Sequence, residues 1–383
     1  MEIPMPQKRL LSLDAFRGAT IALMVLVNDP GGFVTYRQLQ HARWNGWTIT
    51  DMVFPFFLWI VGVAMTFSIA ARMEKGERRG TLIRHALVRA AVLFIFGLIV
   101  NNFPFGLIFN GRFSWETYRV PGVLQRIAIC YFVATIIYLY SKPRGQILWV
   151  LGLLTGYWVL LKYVPVPGFG AGVLQPAGNL QWYLDSEIFG SHTFVYAPAA
   201  GFDPEGTLGT IPAIGTTLFG ILTGTWLRRP DKTKDLKTLG MMVAGAALVA
   251  AALVLNAWLP INKNLWTSSY AIFMAGCALV FLSIFYYLID VKGYAKWATF
   301  FVIFGMNAIA VYMFSELLAT LLWIIPVGAA GGASTSLHVY IYEHFFLPLA
   351  SPQNASLLFA VAYVLLSFAV AWIMWKRHWF LKV

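Results

Sequence analysis

Ten runs of apolar residues, each about 20 long, recur from one end of the chain to the other, at 12–28, 48–71, 82–103, 121–140, 146–163, 206–227, 238–258, 267–289, 297–325 and 354–375. A helix of about 20 apolar residues is enough to cross a hydrocarbon core about 30 Å thick, so each run reads as a membrane span. The chain is 59% hydrophobic and 11% charged, with a mean hydropathy of +0.69, which is too apolar for a water-soluble globule. An all-α polytopic membrane protein with about ten transmembrane helices follows, read as one domain over residues 1–383. No stretch between the runs is long enough for a separate soluble domain, and no internal repeat stands out.

The first run contains Asp14 and Arg17 and no small-residue cleavage site follows it, so the first helix is expected to stay in the protein. Cys130 and Cys277 each sit within an apolar run without neighbouring metal ligands, which indicates neither a disulfide framework nor a zinc site, and no metal is expected. Orientation follows from lysine and arginine. With the N-terminus inside, the inner segments hold Lys8, Arg9, Arg72, Arg78, Lys232, Lys376, Arg377 and Lys382 among others. The outer segments then hold only Arg37, Arg43, Arg112, Arg119, Lys162 and Lys263. Both termini are therefore expected on the cytoplasmic side. The formal net charge of +12 reflects that bias and not nucleic-acid binding, for which no basic stripe interleaved with aromatics is present.

The inner connections are short and basic, whereas the outer ones at 104–120, 164–205 and 326–353 are long and rich in Gly, Pro, Trp and Tyr. Long ordered loops are where function concentrates. Of the six histidines, His85 and His378 sit beside basic residues at the inner ends, and His192, His338 and His344 are scattered through the outer loops without metal-ligand spacing. His41 is set apart by its neighbours. The same connection supplies Asn28, Asp29, Asn45 and Asp51, with Trp44 and Trp47 beside them, a polar pocket with an aromatic wall. A plain interfacial loop is an equal reading, with the tryptophans as anchors, Asp51 capping the second helix and His41 merely exposed.

Ionisable groups inside the runs add weight to the functional reading, because each is costly in hydrocarbon unless paired or used. They are Asp14, Arg17, Arg84, Arg89, Arg126 and Glu316. Asp14 and Arg17, three apart on one helix face, serve as an ion pair or as ligand contacts, and Arg84 and Arg89 are placed to snorkel to the inner surface. Arg126 and Glu316 lie in the outer halves of their runs.

Six blocks then carry a resemblance. "SLDAFRGATIALMVLVN", "HARWNGWTITDMVFPFF", "RVPGVLQRIAICYFV", "DPEGTLGTI", "INKNLWTSSY" and "GMNAIAVYMFSELL" resemble successive blocks of the heparan-alpha-glucosaminide N-acetyltransferase family, in order over residues 12–318. "NKNLWTSS" with "PGVLQR" is the specific part, since a start like "LDAFRG" also occurs among other membrane acyltransferases of surface sugars. The resemblance implies acetyl transfer across a membrane, from cytoplasmic acetyl-CoA to the amine of a glucosamine-type sugar on the far side, by a multi-pass protein of, in this case, a bacterial inner membrane. It places the active histidine at His41 and its companion asparagine at Asn28. The extra N-terminal luminal region and helix of the animal relative have no counterpart here, and 164–205 matches poorly before "DPEG".

Chemistry assigns the remaining roles. Acetyl-CoA is a co-substrate whose phosphates need cations, for which Arg17, Arg84, Arg89 and Arg126 are the candidates, with Asn28 guiding the uncharged arm. His41 is the expected base for the acceptor amine, oriented by Asp51 or Glu316, with Asn28 or Asn45 as oxyanion donor. Acetyl-histidine is the alternative route, and direct transfer is preferred as one step shorter. Trp44, Asn45, Asn262, Asn264 and Trp266 are the candidate acceptor-binding residues. Expected partners are the amino-sugar acceptor, membrane lipids and a second copy of the chain as a homodimer, with no nucleic acid. The competing reading is a transporter or flippase, whose signs would be repeats and paired broken helices near the midplane.

Overall fold

The computed structural model describes residues 10–106, 114–328 and 334–381. Lys8, Arg9, Arg112 and Lys382, used above for orientation, lie outside the described residues. The helices are α1 Leu11–Asn28, α2 Val53–Glu74, α3 Arg79–Asn102, α4 Val123–Tyr140, α5 Pro143–Tyr163, α6 Leu180–Phe189 and α7 Thr210–Leu227. They continue with α8 Lys234–Leu255, α9 Ser268–Tyr286, α10 Thr299–Met306, α11 Ala308–Ile324, α12 Leu337–Ile341 and α13 Pro352–Lys376. Among the described residues nine helices are long and apolar enough to cross a membrane, or up to ten if α10 and α11 together make one span. Strand structure is confined there to a short antiparallel pair, β1 Pro326–Gly328 with β2 Ser334–Ser336, in which Val327 faces Thr335. The all-α polytopic expectation stands.

α2 and α7 form the centre. Both are 72% buried over their apolar windows, against 17% for α8, which leaves its flank to lipid. Glycines allow the close approach. A Cβ on Gly62 would lie 2.0 Å from the Thr217 carbonyl oxygen, and one on Gly220 would lie 2.0 Å from that of Trp59. Lipid tails are as apolar as leucine, so backbone-to-backbone packing of this kind is a main source of helix association in a bilayer.

The ninth run is not the single helix expected over 297–325. It breaks at Asn307, whose φ of −123° and ψ of 35° lie outside the helical well, and α10 and α11 diverge by 71°. The break frees the Gly305 carbonyl, and Arg17 Nε donates to it at 2.6 Å while Arg17 Nη2 bonds Asp14 at 2.5 Å. α1 and α10 touch through glycine here as well, a Cβ on Gly18 falling 1.7 Å from the Phe301 carbonyl oxygen. The connection at 164–205, expected as loop, contains α6, capped by Asn179 accepting from the Trp182 N–H at 2.8 Å. At ten residues it is too short to cross a bilayer.

The long connections gather at one end of the bundle. Gly46 N–H donates to the Ile261 carbonyl at 2.7 Å, Val120 N–H to His192 at 3.1 Å and Gly31 N–H to Ser356 at 3.3 Å. The opposite end is closed by Arg228 on Glu74 at 3.1 Å and Lys234 on the Asp290 carbonyl at 2.7 Å.

Candidate active site

At the loop-rich end one buried acid organises the segment between α1 and α2. Asp51 is 1% exposed, and its Oδ2 accepts from the Ala42 and Thr48 N–H groups, both at 3.0 Å, and from Thr48 Oγ1 at 3.1 Å. Its Oδ1 meets His41 Nδ1 at 2.7 Å. The expected capping role is not what Asp51 performs, since no side-chain cap bond starts α2. A carboxylate only accepts, so Nδ1 carries the proton and Nε2 presents a lone pair. The His41 side chain is 54% exposed, open to a second reactant.

Lys263 completes this group. Its Nζ stands 3.0 Å from His41 Nδ1, 3.4 Å from Nε2 and 3.6 Å from Asp51 Oδ1. Burial lowers the Lys263 ammonium's pKa from its ordinary value, an effect that Asp51 and Glu205 nearby partly oppose. The turn that carries it is built by its own side chains. Asn262 Oδ1 accepts from the Leu265 N–H at 2.9 Å, and Thr267 Oγ1 accepts from the Asn262 N–H at 3.0 Å and caps α9 through the Tyr270 N–H. Asn262 Nδ2 also donates to Asn45 Oδ1 at 3.1 Å, which ties the two loops together beside the histidine.

A charged layer lies behind. Arg119 clasps Asp203 through Nε at 2.9 Å and Nη2 at 2.7 Å and reaches Glu205 at 2.5 Å. Arg126, 1% exposed, donates to the Gly206 carbonyl at 3.0 Å and lies over the Trp266 ring at 5.1 Å. Burial works to raise the Glu205 carboxyl, and Arg119, Arg126 and Lys263 more than reverse it. Asp185, at 0% exposure, is pushed up to about 7, chiefly by burial.

The expected site residues divide accordingly. It is Asp51 that orients the His41 ring, whereas Glu316 accepts from Asn28 Nδ2 at 3.2 Å. Asn45 spends its carbonyl oxygen on Asn262. Trp44 forms wall, donating to the Leu174 carbonyl at 2.8 Å with its ring edge-on to Phe202. Asn264 accepts through its main chain from Gln181 at 3.2 Å. Trp266 lies inside the core at 1% exposure, its indole donating to Thr216 at 3.1 Å, so it supports the site from beneath. Residues that sequence reasoning missed are Lys263, which it counted only as an outer cation, and the partners Arg119, Asp203 and Glu205.

At the opposite end a cleft of about 380 Å³ opens between α2, α3 and α4, lined by Ser68, Arg72, His85, Arg89, Tyr131 and Thr135 among others. Arg89 sits over the Tyr131 ring at 5.0 Å. Of the four cations expected to hold phosphate, Arg89 alone lines this cleft. Arg84 is exposed and does not line the cleft, Arg17 is engaged by Asp14 and Gly305, and Arg126 is at the far end. His85 and Arg89 are four apart and share a helix face.

The sequence around these groups matches a family model described as heparan-alpha-glucosaminide N-acetyltransferase, catalytic, over residues 9–253. The chain belongs to the heparan-alpha-glucosaminide N-acetyltransferase family. Its similarity to curated members of that family extends further. The heparan-alpha-glucosaminide N-acetyltransferase of Homo sapiens is 33% identical over 355 residues, taking in 80% of this chain and 53% of the human protein. That of Mus musculus is 32% identical over 360 residues, 81% of this chain and 54% of the mouse protein. The chain thus spans about half the length of the curated relatives it matches. His41, Asp51, Arg89, Arg119 and Glu205 fall inside the region matched by the family model, and Lys263 lies beyond it.

Proposed function

We propose that the protein transfers an acetyl group from acetyl-CoA to the amine of a glucosamine-type sugar, with donor and acceptor entering from opposite ends of the helix bundle. The observation that carries the reading is the His41–Asp51 pair at 2.7 Å, in a loop-rich mouth of a chain that belongs to this family. The proposed orientation puts both termini and the Arg89 cleft on the cytoplasmic side of a bacterial inner membrane, where acetyl-CoA is available, and the whole chain acts as one transfer unit. Cations at the cleft hold the CoA phosphates, and the uncharged pantetheine arm alone enters the bundle, since a polyanion is excluded from hydrocarbon. Arg89 is the cation that the cleft offers for that role, since Arg72, which also lines it, is paired with Glu77 at 2.8 Å.

At the His41 end the acceptor amine attacks the thioester carbonyl as Nε2 takes its proton. Asp51 keeps the proton on Nδ1 and stabilises the imidazolium as it forms. The thiolate leaves with CoA. Lys263, within 3.4 Å of both ring nitrogens, supplies positive charge where the oxyanion develops. The break between α10 and α11 favours a second reading, a transporter, because broken helices mark many transport sites. Sealed, oriented vesicles decide between them. With acetyl-CoA on the cytoplasmic face and an impermeant amino sugar on the other, acetylated sugar is expected to appear without crossing. Unmodified sugar accumulating on the donor side would establish transport instead, and acetylation that requires both reactants on one face would overturn the two-sided arrangement.

A further inference from the structure

Lys263 stands beside the ring nitrogen that an acceptor amine has to reach. Its Nζ is 3.4 Å from His41 Nε2, the ring nitrogen with the free lone pair and just beyond hydrogen-bond reach, and 3.0 Å from Nδ1, whose proton Asp51 holds. The side chain is 17% exposed, withdrawn from solvent without being sealed. Asp51 faces it at 3.6 Å, Glu205 and Arg126 act on it through space, and burial favours its neutral form. A lysine amine beside a base, in a site that delivers acetyl groups to amines, meets the requirements of the substrate itself. We propose that Lys263 is acetylated by the protein's own site when acetyl-CoA is bound and no acceptor amine is present, and that this modification switches the site off. The proposal rests on the acetyl-transfer reading above.

The step balances without a further reactant. The Lys263 ammonium loses one proton to solvent through His41, and the nitrogen lone pair attacks the thioester carbonyl carbon. An N–C bond forms as the C–S bond breaks, and the electron pair leaves on the CoA sulfur. The second proton passes from the attacking nitrogen through His41 to that thiolate. The Lys263 ammonium and acetyl-CoA, with no oxidant, give acetyl-lysine, free CoA thiol and one released proton. The product lacks the cation that faced Asp51, and its acetyl group occupies the space next to Nε2 that the acceptor needs. Donor without acceptor therefore closes the site.

The test uses the full chain in detergent with carbon-13-labelled acetyl-CoA at about pH 8, with and without glucosamine, followed by peptide mass mapping across 261–270. The expected result is acetyl on Lys263 in more than half of the molecules, at least tenfold above surface lysines such as Lys142 and Lys232. The label should resist hydroxylamine, which removes acetyl from imidazole, and excess glucosamine should suppress it. Transfer to glucosamine measured afterwards should fall in proportion to the label, and His41→Ala should cut the label at least tenfold. If glucosamine is acetylated while Lys263 remains unlabelled, the self-acetylation proposal fails and the transfer reading survives. Equal labelling in His41→Ala also overturns it, as uncatalysed chemistry. Acetylation of neither glucosamine nor Lys263 overturns both.

Discussion

Asp51 holds His41 Nδ1 at 2.7 Å with one carboxylate oxygen while the other gathers the Ala42 and Thr48 N–H groups, so the acid that orients the ring also builds the loop on which the ring is carried. An amide at this position cannot do both, because it presents one acceptor and one donor to a ring N–H and two backbone N–H groups that all donate. Asp51→Asn is expected to lower the rate of acetyl transfer about a hundredfold or more with little change in CoA affinity. His41→Ala is expected to lower it by about 10²–10⁴. Steady-state rates and CoA binding measured on folded variants check both, and normal turnover in folded His41→Ala removes His41 from the chemistry.

The presence of Arg89, and not Arg84, in the cleft lining makes a sharper prediction about the donor. Arg89→Gln is expected to weaken CoA binding about tenfold, and raising salt should weaken it in the unaltered protein, as loss of a charge-assisted phosphate contact implies. Arg84→Gln, off the cleft, should change affinity less than twofold. Calorimetric titration with CoA reads both. Equal effects at the two positions would mean that the 380 Å³ cleft is not the phosphate site.

Asp185 makes stability depend on pH in a direction opposite to that of most carboxylates. Its folded pKa is pushed up to about 7, mainly by burial, from an ordinary value of 3.8. The folded state therefore binds the extra proton between those limits. Its contribution is fully present below about pH 4 and is lost as pH rises through 7, up to about 4 kcal/mol in all. Asp185→Asn removes the ionisation and is expected to flatten the decline in melting temperature between pH 5 and 8, at the cost of the bond from one of the two N–H groups, of Thr207 and Asp203, that the carboxyl accepts. Thermal unfolding in detergent followed by tryptophan fluorescence measures the difference, and parallel pH profiles would contradict it.

The α2–α7 crossing tests the packing argument independently of any activity. Gly220→Ala puts a methyl group where only 2.0 Å separates it from the Trp59 carbonyl oxygen, so the two backbones must part. A destabilisation of about 1–3 kcal/mol is expected, as for other overpacked cores. Gly152→Ala has open space around its Cβ and should be neutral or slightly stabilising. Similar melting temperatures for the two variants would show that the crossing is not close-packed.

What the sequence determined by itself is where the helices run and to which family the chain belongs. Hydrocarbon penalises every unpaired polar group, so span positions were legible from apolar run length to within a few residues, and six ordered motifs pointed to the family. His41 and Asp51 were legible as neighbours because only ten positions separate them. Tertiary structure alone decided their contacts. Asp51 before a helix has the pattern of a cap, yet its partners are a ring and two loop N–H groups. Lys263 reaches His41 across 222 positions, Asn262 reaches Asn45 across 217 and Arg119 reaches Asp203 across 84, distances at which no periodicity links two residues. Arg89 lines the cleft and Arg84 does not, a difference fixed by how α3 packs. The break at Asn307 was hidden because hydropathy continues unbroken through it, and it is sustained by a side chain on another helix, Arg17, which takes the carbonyl that the break sets free. Local sequence governs local hydrogen bonding and burial, whereas a site built from loops that meet in space depends on contacts that exist only once the bundle has closed.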